Sequence, residues 1–459
     1  MHTATLPVRS LLFALALVCL ALLGVESRAE TYTVTETADS HWPNPDPTIL
    51  SLRMALSKAN QHPGLDLVVI PKGTYTLTIP GSGDDNNLSG DLDIRDSVII
   101  QGAGPDKTII DGNALDRVFD LPYDGYNPSE ITVFMSNLTI QNGKLTQVMG
   151  GLVEGGGGIN NQHKLYLSNV VVRNNTVEGA GGGGIENKQD LTLYKVVLRE
   201  NIVTGETSNC VGGGIVNIGS LVVTDTTVSG NRADRGGGLF NAGLVTATIK
   251  RSLFTDNQAR AGSALLAYGT LELVNSTIHG NNFTLAGGGE CALAVVETAT
   301  VSFCTITDNL TTETGRSSGL CVSSTAQLTL HGTILAGNKR FGTPTKKNCT
   351  FFTPPISATY NLEDTDTCNF SIDTNLSNTD PRVGPLQDNG GPTQTRALSA
   401  DGPAIDYVKI NTGVTMDQRS FTRPVGPWAD VGAYEYERDV STFCFPIKSP
   451  DGATAVICL

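Results

Sequence analysis

The feature that most constrains this chain is a glycine-punctuated repeat between Gly155 and Asn338. It reads GGGGIN at 155–160, GGGGIEN at 181–187, GGGIVN at 212–217 and GGGLFN at 236–241, then loosens to GSALL and GGGECAL. Each copy is followed by a short β-rich run that ends in asparagine. Apolar residues two apart within these runs are the mark of strands with one face inward. With the main apolar residue of each run as position zero, the column reads Ile99, Ile140, Val172, Leu198, Val228, Phe254, Ile278, Ile306 and Leu335. Five residues earlier stand Ile94, Met135, Leu167, Leu193, Val223, Ile249, Leu273, Val301 and Leu330. After Ile140 the steps are 32, 26, 30, 26, 24, 28 and 29 residues, and the length changes fall in Gly-, Asn- and Thr-rich linkers. A near-constant period with insertions confined to turns predicts an all-β stack of coils, a right-handed parallel β-helix of about nine rungs. At the ~4.8 Å spacing of paired strands, its core is roughly 40 Å long.

Two columns invite a functional reading and are better explained by stacking. Three residues past position zero stand Asn175, Asn201, Asn231, Asn257, Asn281, Asn309 and Asn338. Asparagine tolerates left-handed backbone, and stacked amides hydrogen-bond from rung to rung, so this column is read as a structural ladder. The glycine runs resemble a phosphate cradle, but no Lys-Ser/Thr follows and no helix opens there. Recurring once per rung, they mark tight turns or close backbone approach.

Residues 1–29 read as a secretory signal peptide: Arg9, the apolar run 11–24, and a polar small-residue stretch ending at Ala29. Its removal leaves 29 Lys+Arg against 44 Asp+Glu, a net charge of −15. That acidity argues against nucleic acid and anionic lipid as partners. No later run is long enough to span a membrane, so no membrane insertion is expected. Of nine cysteines, Cys19 leaves with the signal, and the remaining eight suit an oxidising compartment. Sequence proximity pairs Cys349 with Cys368 and Cys444 with Cys458. Cys291 and Cys321 align one rung apart, while the pairing of Cys210, Cys291, Cys304 and Cys321 stays open.

The ends break the period. Residues 30–90 contain a strand, a helix at LSLRMALSKANQ stopped by His62-Pro63-Gly64, and two strands around Pro71-Lys72-Gly73. This small α/β piece is expected to cap the first rung of a β-helix over 91–340. Residues 341–440 read as an irregular C-terminal cap, with Asp406, Arg419, Arg423, Asp430 and Glu435 near enough to pair, and 441–459 as a cysteine-paired tail.

The stretch LSLRMALSKAN…PGLDLVVIPKGTYTLTI…SGDLDIRDSVIIQGAG…TIIDG…DRVFDL resembles the N-terminal CSLREA domain of bacterial surface proteins. The tract TDPRVGPLQDNGGPTQT…GPAID…DQRSFTRPVG…ADVGAYEYE resembles the choice-of-anchor Q domain that ends many such chains. Together they cover most of the chain outside the repeats. The resemblance implies an exported right-handed β-helix of the pectate-lyase-like superfold, secreted or held at the cell surface. Leu50 and Met54 stand where that family has its name-giving Cys and Glu, and the tail after Tyr436 does not resemble an anchor.

Chemistry, if any, is expected outside the repeat register. β-helix lyases resembling this fold hold calcium with carboxylates beside a basic residue. The candidates for that are Asp91 and Asp93, which share a face if 90–94 is a strand, with Asp111 and Asp116 close in sequence. The competing reading makes them turn-capping carboxylates. A second candidate is the outward column one past position zero, Arg173, Arg199, Ser229, Thr255, His279 and Thr307, whose arginines could grip an acidic sugar. The bland reading there is a solvated polar face. The catalytic candidates are therefore Arg173, Arg199 and Asp93. No nucleophile elbow or zinc-ligand spacing appears, and no cofactor is expected unless calcium occupies the carboxylates. The functional expectation is a non-enzymatic, adhesin-like or glycan-contacting scaffold with polysaccharide as partner. The alternative is an extracellular polysaccharide lyase or glycosidase acting on acidic polysaccharide.

Overall fold

A computed structural model describes residues 29–458 apart from 41–45, 47, 124–129, 147–153, 206–209, 283–290, 312–318, 341–343, 438–443 and 449–453. All of the expected signal peptide except Ala29 therefore lies outside the described residues. The chain is a parallel β-solenoid of about nine coils. Its strands stack into a 21-stranded sheet, a ten-stranded sheet and a short three-stranded sheet, with one helix among the described residues.

From Ile140 to Leu335 every expected position-zero residue faces the next across a parallel pair, and so does the column five residues earlier from Met135 to Leu330. All are buried in one continuous apolar core. The first rung departs from the expected register. Ile110, not Ile99, pairs with Ile140, and Ile100, not Ile94, pairs with Met135. In that rung the turn between Val98–Gly102 and Thr108–Asp111 is longer, so the two positions lie ten residues apart rather than five.

The corners explain the polar repeats. Each ladder asparagine donates from Nδ2 to Oδ1 of the next, over 2.8–3.1 Å from Asn175 to Asn338, and that Oδ1 also accepts the first residue's backbone N–H. The ladder runs on to Asn348 at one end and accepts Gly143 N–H at the other. A second ladder, Asn161–Asn187–Asn217–Asn241, follows the glycine runs. Within those runs Gly156, Gly182, Gly212 and Gly236 have positive φ. Two residues on, a Cβ at Gly158 or Gly184 would stand 2.6 Å from the carbonyl oxygen of the next coil's glycine. Glycine is required twice per run, once for backbone hand and once for stacking distance.

The sheet does not begin at residue 91. Thr31–Thr33, Asp66–Ile70 and Gly73–Thr76 all join the 21-stranded sheet in parallel. The helix α1 (Leu52–Gln61), N-capped by Ser51 Oγ, seals the open end with Leu52, Ala55, Leu56 and Ala59. At the far end Ser357–Thr359 and Leu362–Glu363 add a last coil. Cys349–Cys368 is bridged as expected, and Cys291 is bridged to Cys321. Cys210 and Cys304 are buried thiols. The backbone of Cys444–Lys448 and Thr454–Cys458 forms a hairpin with Cys444 opposite Cys458; their side chains lie outside what is described.

Only part of segment 341–440 closes that end. Residues 388–437 run back beside the last coils as a strap. Gln418 accepts Thr277 Oγ1–H, Arg423 donates to Asn275, and the Gly432 and Ala433 N–H groups donate to Gly332 O and Thr305 Oγ1. Arg423 pairs with Glu435 at 2.9 Å as expected, but Arg419 pairs with Asp417. Asp406 meets Asp430 through its backbone N–H.

Candidate functional site

Two places gather charge. The first is the outer flank of the 21-stranded sheet. Parallel register puts Thr76, Asp111, Gln141, Arg173, Arg199 and Ser229 in one file, one residue per coil. The file continues through Thr255, His279 and Thr307. Arg173 donates from Nε to Gln141 at 2.8 Å, and Gln141 donates to Asp111 at 2.8 Å. Asp111 also accepts Asn142 Nδ2 and Asn113 N–H. Arg199 pairs with Glu200 at 2.8 Å, so the two arginines are register neighbours with separate partners. Beside the file lies an open cleft of about 520 Å³, lined by Thr76, Asp111, Asn113, Asn142, Lys144, Asn174 and Thr176 among others. Further along, the strap intervenes: Arg396 reaches Asp308, which also lies 3.8 Å from His279, and Thr307 is fully buried. Burial, followed by the charge of Arg396, lowers the His279 pKa. The flank is therefore open from Asp111 to Ser229 and roofed towards Thr307.

The second place is the corner where 84–93 meets the ten-stranded sheet. Leu92–Asp93 pairs with Phe119–Leu121, which pairs with Ile159–Asn161. Asp93, Asp120 and Asn160 thereby stand in one file. The helix holds this junction by its backbone. Arg53, ion-paired with Asp39 at 2.7 Å, donates to Gly90 O and Asp91 O, while Asn60 bonds Asp93 O and Arg95 N–H. Arg117 is buried among carboxylates, 3.3 Å from Asp91, 3.2 Å from Asp120 and 3.1 Å from Glu154. Burial opposes its charge, but Asp120, Asp91 and Glu154 raise its pKa on balance.

One guanidinium does not neutralise this many acids. Burial first, then Asp120 and Asp85, pushes Asp93 up to about 8. Burial and Glu154 push Asp120 up to about 6 against the pull of Arg117. Burial, Asp93 and Asp116 hold Asp91 well above the ordinary carboxylate range, and burial also raises Asp116.

The structure brings Asp91 and Asp116 to Arg117, sets Asp93 opposite Asp120, and leaves Asp111 on the flank. Much of the expected turn-capping is present: Asp93 Oδ2 accepts Asn87 N–H, and Asp116 Oδ1 accepts Arg117 N–H. The sequence reading lacks Asp85, Asp120 and Asn160. Asp120 stands inside DRVFDL and Asn160 ends GGGGIN, but nothing local says that they stack on Asp93.

No family model and no curated protein matches the chain. Among solved structures it is similar to ORF18 of Geobacillus virus E2, with TM-score 0.33 and 12% identity over 79% of this chain, and it spans 65% of that protein's length. It is also similar to the A-modules of the Azotobacter vinelandii mannuronan C-5 epimerases AlgE4 (TM-score 0.33, 14% identity) and AlgE6 (0.29, 15%). Each of these covers 67% of this chain and 95% of the module. At these scores the likeness is one of fold.

Proposed function

We propose that this is an exported β-helix that contacts acidic glycan along its open flank without turning it over. The observation that carries this reading is the file Asp111–Gln141–Arg173–Arg199–Ser229, one polar side chain per coil at ~4.8 Å steps. A repeating polymer can meet such a file at several coils at once, and the arginine forks suit carboxylates. Arg173 is tied through Gln141 to Asp111, an arrangement that orients a contact. Two disulfides fit an oxidising compartment, and no helix among the described residues is long and apolar enough to cross a membrane.

The test is a glycan array and a panel of uronic-acid polymers, with ultraviolet detection of unsaturated products. Binding lost about tenfold in Arg173→Ala and Arg199→Ala, as expected when one charge-assisted contact goes, supports the reading, provided no product forms. Turnover abolished by Arg173→Ala assigns the lyase or glycosidase alternative instead. Absence of both binding and turnover overturns each.

A further inference from the structure

We infer that Asp85, Asp93 and Asp120, with the amide oxygen of Asn160, form a calcium site that ties the loop 81–90 to the first coils. Parallel pairing stacks Asp93, Asp120 and Asn160 on successive strands, and the loop brings Asp85 to the same point. One oxygen from each of the three carboxylates lies within 4.8 Å of the other two. Oxygens no farther apart than that can share one cation at the ordinary calcium–oxygen length of about 2.4 Å.

A second observation points to a ligand. Asp93 Oδ1 and Asn160 Oδ1 are both buried with no hydrogen-bond partner among the described residues, on residues with 0% exposure. Each side chain is otherwise engaged. Asp93 Oδ2 accepts Asn87 N–H, and Asn160 Nδ2 donates to Asp120 Oδ1 at 2.9 Å, which fixes the Asn160 amide next to that file. Buried polar atoms are nearly always satisfied, and orphans ask for an ion or water. The three arginines at this corner do not serve Asp93 Oδ1: Arg53 bonds Asp39, Gly90 O and Asp91 O. Arg117 spreads over Asp91, Asp120 and Glu154, and Arg95 donates to Asp85 O and Asn86 Oδ1.

The donors are all oxygen, with no cysteine or histidine in the set, which selects a hard cation over zinc. Adaptable coordination with room for water on the exposed Asp85 side suits calcium better than octahedral magnesium. The site does not depend on the glycan reading.

The test uses full-length protein stripped with chelator, titrated with calcium chloride in a calorimeter and followed by thermal unfolding. One calcium per chain is expected, with a rise in Tm and protection of the 81–90 loop from protease. Asp85→Asn, at an exposed position where folding is safe, should weaken calcium binding about tenfold or more. Asp120→Asn should abolish it. Asp111→Asn, on the flank, should leave it unchanged. No heat and no Tm rise up to about 10 mM calcium, beyond the weakest extracellular calcium modules, overturns the inference. So does unaltered binding by Asp85→Asn, an equal loss in Asp111→Asn, or a stronger response to magnesium than to calcium.

Discussion

Truncating one central amide of the asparagine ladder tests whether these residues hold the stack. Asn231 is fully buried and makes four side-chain hydrogen bonds. Its Oδ1 accepts Asn201 N–H and Asn201 Nδ2, and its Nδ2 donates to Leu198 O and Asn257 Oδ1, all at 2.9–3.0 Å. Asn231→Ala strips the acceptor from a buried backbone N–H and leaves three more groups short of one bond. Water cannot replace them inside the corner. With about 1 kcal/mol for each net bond and 1–3 kcal/mol for a buried orphan, the loss should be about 3–5 kcal/mol. Asn231→Asp keeps the two accepted bonds but buries a charge, so its loss should be as large. Urea unfolding followed by far-ultraviolet circular dichroism measures both. Asn231 and Asn257 share bonds, so the double alanine variant should lose less than the sum of the singles by about 1 kcal/mol, whereas Asn175 and Asn257 should add. A loss below about 1 kcal/mol for Asn231→Ala would refute the ladder as a source of stability.

Arg423→Met should cost about 3–5 kcal/mol, because it leaves Glu435 buried and unpaired, and protease should then cut within 388–437. Adding Glu435→Gln should recover part of that loss, because it removes the unpaired buried charge and keeps an acceptor oxygen for the Val425 and Asp430 N–H groups. Burial, then Glu435, pushes Asp430 up to about 7. Its stabilising effect is whole below its ordinary 3.8 and is lost as pH rises towards 7, so Tm should fall across that window and Asp430→Asn should flatten the slope. Reduction should lower stability by about 3–4 kcal/mol per bridge, given loops of 30 and 19 residues. Burial pushes Cys304 up to about 12, so thiol reagents should label it only on unfolding.

Most of the coil stack was legible because its signals are one-dimensional. Alternating apolar residues and a constant offset between Leu193 and Leu198, or Ile249 and Phe254, translate directly into strands that stack. The asparagine ladder was legible for the same reason. The companion ladder Asn161–Asn187–Asn217–Asn241 was visible only as an asparagine ending each glycine run. Some corners were hidden altogether. Lys195, Arg251 and Phe303 adopt left-handed backbone at a position where other coils carry Asp225 and Asn275. The stacking of neighbouring coils imposes that conformation, not local preference.

What the sequence alone determined is the period, the inward face and the residues that recur. What only the tertiary structure decided is which residues of different coils meet where the period fails. A longer turn moved Ile100 and Ile110 into the columns assigned to Ile94 and Ile99. The strap returns over the flank through contacts some 140 residues apart in sequence, such as Thr277 with Gln418. Asp93, Asp120 and Asn160 are 27 and 40 residues apart in the chain, yet stand on adjacent strands because turn lengths set the register. Turn lengths leave no periodic trace, and so the stacking of Asp93 on Asp120 and Asn160 could be read only from the folded chain.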